Sequence, residues 1–221
     1  MGRTYSMLAG MGSRPVEKAV VVPGRGAEPA LGGVYLNAAG EPRGGAVVAP
    51  PHPLYGGSMD HPVVNELSWA CSSAGFASLR FDWRGVGASS ETPSGEAADA
   101  DADYGAALDH IAETVEGAVI ACGYSFGAGA AVRASSGQPR VRRLVLVAPV
   151  PTLIDAQTLH EFGGSVLAIC GARDALAPRA AVEELLAPAA DARVVVVPDA
   201  DHFFSVGLAA ISQAVTESLT P

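Results

Sequence analysis

Short apolar runs alternate along this chain with stretches in which apolar residues return every three or four positions. The runs are Lys18–Val22, Gly45–Ala49, Ala77–Phe81, Ala118–Cys122, Arg143–Val147, Ser165–Cys170 and Arg193–Val197. Several are nearly unbroken, such as Leu144-Val145-Leu146-Val147 and Val194-Val195-Val196-Val197, the pattern of strands buried on both faces of a parallel sheet. A weaker strand, Gly33–Asn37, is expected to pair early as a hairpin partner. Between the strands, Val63, Leu67, Ala70, Cys71 and Ala74 share one helical face, with Pro62 suited to the first turn and Gly75 to the stop. Tyr104, Ala107, Leu108, Ile111 and Val115 form a second stripe closed by Gly117. Asp99, Asp101 and Asp103 crowd its start, where the positive end of a helix dipole favours carboxylates. A third helix is expected just after Ser125, ending near Gly137. Val182, Leu185 and Leu186 mark a fourth, and Leu208, Ile211, Val215 and Leu219 the last.

Such alternation implies an α/β fold, a doubly wound sheet with helices on both faces, because right-handed crossovers place them there. Ligands in these sheets gather at the carboxyl ends of the strands, so the loops after strands are where chemistry is sought. Residues 15–221 read as a single domain without internal repeats, preceded by a loosely ordered leader over 1–14. The polar, acidic stretch Ser89–Asp103 reads as a mobile loop leading into a helix.

Composition narrows the picture. The 221 residues carry a net charge of -9, which argues against nucleic acid as a partner because phosphates are repelled. Lys18 is the only lysine among 14 basic residues, a bias that suggests a GC-rich, bacterial gene. Cys71, Cys122 and Cys170 are odd in number and sit in apolar segments, which fits buried thiols in a reducing compartment better than a disulfide framework. No run of 18 apolar residues occurs, so no membrane span is expected. The first residues lack the apolar stretch of a secretory signal, and Gly2 with Ser6 matches a myristoylation pattern that a bacterial cytosol does not use. Together these features point to a cytoplasmic protein.

The strongest chemical signal is Gly123-Tyr124-Ser125-Phe126-Gly127, set between an apolar strand and a helical stretch. A strand-to-helix turn this tight strains the serine and excludes bulk two residues either side, so glycine is required at 123 and 127. The gain is an exposed hydroxyl at a helix N-terminus, where developing negative charge is favoured. Asp174, in Gly171-Ala172-Arg173-Asp174, follows strand Ser165–Cys170 and could fix a histidine tautomer. A helix cap or an ion pair with Arg173 would also account for it. His202 follows strand Arg193–Val197 and could move the serine proton. Asp199 and Asp201 are rival acids, but both lie too near His202 in sequence to reach the far side of its ring easily. The order Ser, Asp, His, each after its own strand, lifts these three above their neighbours. In the loop after Gly45–Ala49, Pro51-His52-Pro53-Leu54-Tyr55-Gly56-Gly57, a backbone N–H could join that of Phe126 in holding an oxyanion. Pro53 has none, so Leu54 is the expected donor, with Tyr55 second. His52 is read as steadying this loop.

These segments, with Phe81–Ser89 (FDWRGVGAS), resemble the α/β-hydrolase superfamily. Pro51–Val64 resembles a subgroup of small bacterial serine hydrolases without a lid, described as esterase-like. The resemblance implies an α/β-hydrolase fold, with a mostly parallel eight-stranded sheet whose second strand is antiparallel. It implies Ser125 as nucleophile, His202 as base, Asp174 as orienting acid, and supporting roles in loop structure for Asp82 and Arg84. Relatives often insert a cap after the sixth strand. Here only Val150–Gly164 lies there, so a shallow, open site is expected, walled by Leu54, Tyr55, Phe126, Leu153, Ile154 and Phe203. The expected activity is cleavage of a carboxylic ester or thioester of a small-molecule acyl substrate. Acyl transfer or cyclisation with the same triad, and a non-catalytic binding module of the same fold, are the alternatives. No cofactor is expected: there is no phosphate loop, Gly24-Arg25-Gly26 lacks the rest of a dinucleotide site, and no metal-ligand spacing occurs. Serine at the elbow argues against an epoxide hydrolase or dehalogenase. Oligomeric state is not legible.

Overall fold

The computed structural model describes residues 16–220, so the leader over 1–14 and its Gly2 and Ser6 lie outside the described residues. Eight strands form one sheet: β1 (Glu17–Val22), β2 (Leu31–Leu36), β3 (Gly44–Ala49), β4 (Ala77–Phe81), β5 (Ala118–Tyr124), β6 (Val141–Val147), β7 (Ser165–Gly171) and β8 (Ala192–Val197). Their spatial order is β1-β2-β4-β3-β5-β6-β7-β8. β2 runs antiparallel to both its neighbours, and β4 through β8 pair in parallel. All eight expected strands are present, with ends shifted by at most two residues.

Six helices cover the sheet: α1 (Pro62–Ser73), α2 (Ala97–Thr114), α3 (Phe126–Ala134), α4 (Ala156–Glu161), α5 (Arg179–Leu186) and α6 (Leu208–Leu219). The central strands are fully buried, with Val47, Val48, Leu144, Val145 and Ile169 all inaccessible to solvent. Burial of this apolar surface drives the assembly at about 25 cal/mol per Å². α4 was not anticipated. Its six residues are too few to show a periodic stripe, and Asp155 starts it by accepting the N–H of Thr158 at 3.0 Å.

The acidic cluster Asp99, Asp101 and Asp103 lies inside α2, not only at its start. The helix begins at Ala97, so only Asp99 lies in its first turn. Asp103 pairs with Arg84, as does Asp99, while Asp101 pairs with Arg133. Specific ion pairs, rather than the helix dipole, fix these carboxylates. The preceding loop is fastened too: Gly85 N–H donates to Ser90 O at 2.8 Å and Ser90 N–H to Ala30 O at 2.9 Å. Arg84 bridges Glu28, Asp99 and Asp103, and Asp82 accepts the N–H of Met59 at 2.7 Å. Both therefore hold loops at the carboxyl edge of the sheet.

Candidate active site

β5 runs to Tyr124, and α3 begins at Phe126, leaving Ser125 alone in the turn with φ 53° and ψ -112°. That region strongly disfavours a side chain, and the packing shows why the chain tolerates it. A Cβ at Gly123 would stand 2.1 Å from the carbonyl oxygen of Gly127, and one at Gly127 would stand 2.6 Å from that of Pro50. The two glycines thus permit the tight crossing that projects Ser125 from the sheet edge.

Ser125 Oγ lies 2.9 Å from His202 Nε2, and His202 Nδ1 lies 2.8 Å from Asp174 Oδ2. The three side chains, from loops after β5, β7 and β8, form one hydrogen-bonded chain. With Nδ1–H donating to the carboxylate, Nε2 is free to accept the serine O–H. Asp174 Oδ1 accepts the N–H groups of Leu176 and Ala177, each at 2.8 Å. Burial pulls the Asp174 carboxyl upward, but the His202 ring and these two N–H groups outweigh it and hold the group below its ordinary value. Its side chain is inaccessible to solvent, and that of His202 nearly so. Tyr124 O–H donates to the His202 carbonyl at 3.0 Å and anchors the histidine loop from below.

The rival acids are spent elsewhere. Asp199 pairs with Arg173 on the surface. Asp201 accepts the N–H groups of Phe203 and Ser205, both at 3.1 Å, and the Ser205 hydroxyl at 3.0 Å. It therefore shapes the turn that carries His202 rather than touching the ring.

The loop after β3 passes the nucleophile as a single tight turn over Pro53–Tyr55. Trp83 Nε1–H holds it by donating to Pro51 O at 2.9 Å. Phe126 N–H stands at the first position of α3, where no intrahelical acceptor exists. Leu54 N–H points instead to His52 Nδ1 at 3.2 Å. The His52 ring packs between Tyr55 and Phe126, with centroids 4.7 and 4.6 Å away. Burial lowers the pKa of His52.

His61 had no role in the sequence reading. Its Nδ1 accepts the N–H of Val63 at 3.2 Å, and its ring lies 4.8 Å from Tyr124, beside the elbow. Burial lowers its pKa as well. The signal was there in duplicate: His52-Pro53 and His61-Pro62 use the same device, a histidine capping a turn whose first residue is proline.

Of the expected apolar walls, Leu54, Tyr55 and Phe203 are exposed, at 58, 86 and 64%. Leu153 is partly exposed, its carbonyl held by Arg133 Nη1 at 3.2 Å. Ile154 does not line the site. It is turned into the hydrophobic core, as is the Phe126 side chain, so neither offers an exposed wall. Recesses of about 420 Å³ open elsewhere, one beside Ser135, Arg142 and Phe162 and one beside Arg84 and Ser94. Neither is lined by Ser125, Asp174 or His202. Among the described residues no three His, Cys, Asp or Glu side chains gather closely enough to hold a metal ion, and no helix is long and apolar enough to cross a membrane.

Comparison with known proteins agrees with the fold. A family model described as serine aminopeptidase, S33, matches residues 56–160, a span holding Ser125 but neither Asp174 nor His202. The chain is similar to an uncharacterised protein of Rickettsia prowazekii, 28% identical over 213 residues, covering 88% of this chain and 86% of that one. An α/β serine hydrolase homologue from Coxiella burnetii superposes with a TM-score of 0.83 at 25% identity, covering 92% of this chain and 97% of the other. A serine hydrolase without a lid from Xanthomonas campestris shares the fold, with a TM-score of 0.80 at 22% identity and 94% of each chain covered.

Proposed function

We propose that this α/β-hydrolase fold carries a serine hydrolase without a lid, and that it cleaves a carboxylic ester or thioester through an acyl-enzyme on Ser125. The observation that carries the reading is the continuous Ser125–His202–Asp174 chain, with links of 2.9 and 2.8 Å, built on a strained elbow. In the first step His202 Nε2 takes the Ser125 proton as Oγ bonds to the acyl carbon. The carbonyl oxygen becomes an oxyanion facing Phe126 N–H and Leu54 N–H at the positive end of α3. The bond to the leaving group then breaks, and that group departs with the proton held by His202. Water, deprotonated in turn by His202, attacks the acyl carbon and restores Ser125 as the acid is released. Asp174 keeps its negative charge throughout and stabilises the imidazolium. The exposed setting favours water as acceptor, whereas acyl transfer or cyclisation would need a bound second substrate.

The match to a serine aminopeptidase model favours a second reading, cleavage of an amide next to a free amino terminus. Paired p-nitrophenyl esters and aminoacyl p-nitroanilides separate the two. A fluorophosphonate probe tests both at once: the wild-type protein is expected to be labelled and Ser125→Ala to stay unlabelled. Absent labelling, or equal labelling of the variant, leaves the non-catalytic binding module as the remaining reading.

A further inference from the structure

Parallel strands β3 to β8 send all their carboxyl-end loops to one side, and the charges there are one-sided. The loops 50–61, 82–96, 148–155, 172–178 and 198–207 hold eight acidic residues, Asp60, Asp82, Glu91, Glu96, Asp155, Asp174, Asp199 and Asp201, against two arginines. Neither arginine is free. Arg84 is ringed by Glu28, Asp99 and Asp103, and Arg173 is paired with Asp199. At the opposite end Arg43, Arg140, Arg142 and Arg193 gather at the starts of β3, β6 and β8. Arg43 donates to the carbonyls of Ala74 and Leu219, at the ends of α1 and α6, and Arg140 to those of Ala112 and Val115, at the end of α2. Arg43 and Arg140 thus sit on helix C-termini away from the nucleophile, and the mouth loops are left negative.

The same loops carry most of the exposed large apolar side chains among the described residues: Leu54, Tyr55, Leu153, Leu176, Phe203 and Val206. An apolar lining within a negative rim discriminates by charge. Apolar groups gain from burial there, while an anion meets repulsion and finds no unpaired arginine to neutralise it. Resting on the hydrolase reading above, we propose that this site selects apolar acyl substrates without negative charge and discriminates against anionic ones. Thioesters of coenzyme A, whose carrier bears several phosphates, fall outside that class. Uncharged esters and thioesters fall within it.

The test compares two butyrate esters that differ by one charge in the leaving group, 4-acetylphenyl butyrate and 4-sulfophenyl butyrate. Each rate is normalised to the ester's own reaction with hydroxide. At low ionic strength kcat/KM for the sulfonate is expected to be lower by about tenfold or more. Added sodium chloride should narrow the gap, since it screens exposed charges. The double variant Asp60→Lys/Glu96→Lys, at two exposed positions, should raise kcat/KM for the sulfonate and leave the neutral ester unchanged. Equal normalised rates for the two esters, or a gap indifferent to both salt and charge reversal, would overturn the inference and leave the hydrolase reading standing. No cleavage of the neutral ester together with no fluorophosphonate labelling would remove both.

Discussion

Leu54 N–H donates to His52 Nδ1 at 3.2 Å, so the amide proposed to face the oxyanion is fastened by a neighbouring imidazole before any substrate arrives. An oxyanion is a stronger acceptor than a neutral ring nitrogen, so the N–H can turn from one to the other as charge develops. On this account His52 is a positioning residue. His52→Asn retains a side-chain acceptor two residues before the donor and is expected to keep most activity. His52→Ala loses both that acceptor and the packing on Phe126. Its kcat on a p-nitrophenyl ester is expected to fall, but by less than the about 10²–10³-fold typical of deleting an oxyanion donor, because the N–H itself remains. An unchanged kcat in His52→Ala would show that the contact does not position the loop.

Asp174 and its rivals are separable by substitution. Asp174→Asn should lower kcat by about 10⁴-fold through loss of the correct histidine tautomer. Asp199→Asn removes only an exposed ion pair and should change kcat by less than about twofold. Asp201→Asn loosens the turn carrying His202, which predicts a smaller loss than at Asp174, accompanied by a lower Tm. Steady-state kinetics with one chromogenic ester decides the order, and a larger loss at Asp199 than at Asp174 would reassign the acid.

Most strands were legible as short runs rich in apolar residues, and Ser125, Asp174 and His202 because each emerges soon after one. Residues acting through contacts between distant segments were not legible. Trp83 reaches back to Pro51, and His61 stacks on Tyr124 across the whole of β4 and α2; no spacing along the chain encodes either. The acidic cluster in the first turns of α2 misled for the same reason. A run of carboxylates suggests a helix dipole, yet the partners of Asp101 and Asp103 are arginines far away in sequence. Ile154 was misplaced because apolar character alone does not say which side of a short turn faces the core.

Glycine at 127 is required by packing and not merely by turn preference. An added Cβ there meets two backbone oxygens, those of Pro50 and Ala49, and backbone cannot move aside as a side chain can. Gly127→Ala is expected to cost about 1–3 kcal/mol and to displace the elbow, abolishing most activity. Gly163→Ala is the control, since nothing lies within 4 Å of its Cβ position, and neither Tm nor kcat should move appreciably. Thermal melts and ester assays on the two variants suffice.

The three thiols should be silent in the folded protein. All are buried, with Cys71 Sγ 3.9 Å from Cys122 Sγ. The contact with Cys71, together with burial, raises the Cys122 thiol well above its ordinary value, and burial pushes Cys170 up to about 11. Thiolate, the reactive form, is therefore scarce at neutral pH for both. A disulfide-exchange reagent such as dithionitrobenzoate should react slowly or not at all with native protein and release three equivalents of chromophore once the chain is unfolded in denaturant. Rapid reaction of one thiol in the native state would contradict the burial.

Asp82 predicts a pH dependence of stability with a definite sign. Burial raises its carboxyl above the ordinary value, against the pull of the Met59 N–H, and the nearby Asp60 adds to the rise. The folded chain therefore gives up this proton at higher pH than the unfolded chain does. Ionisation thus costs folding free energy above the folded pKa, and the cost disappears as pH falls through that value. Asp82→Asn keeps an oxygen for the Met59 N–H while removing the charge, so its Tm at neutral pH should equal or exceed that of the wild type, by at most roughly 4 °C. The difference should shrink as pH is lowered, because the protonated acid and the amide then present similar uncharged groups. Calorimetric melts of both proteins across the acid range test this. A variant that is less stable at neutral pH, with the gap closing only in acid, would mean that the Asp82 carboxylate contributes more through its contacts than burial takes away.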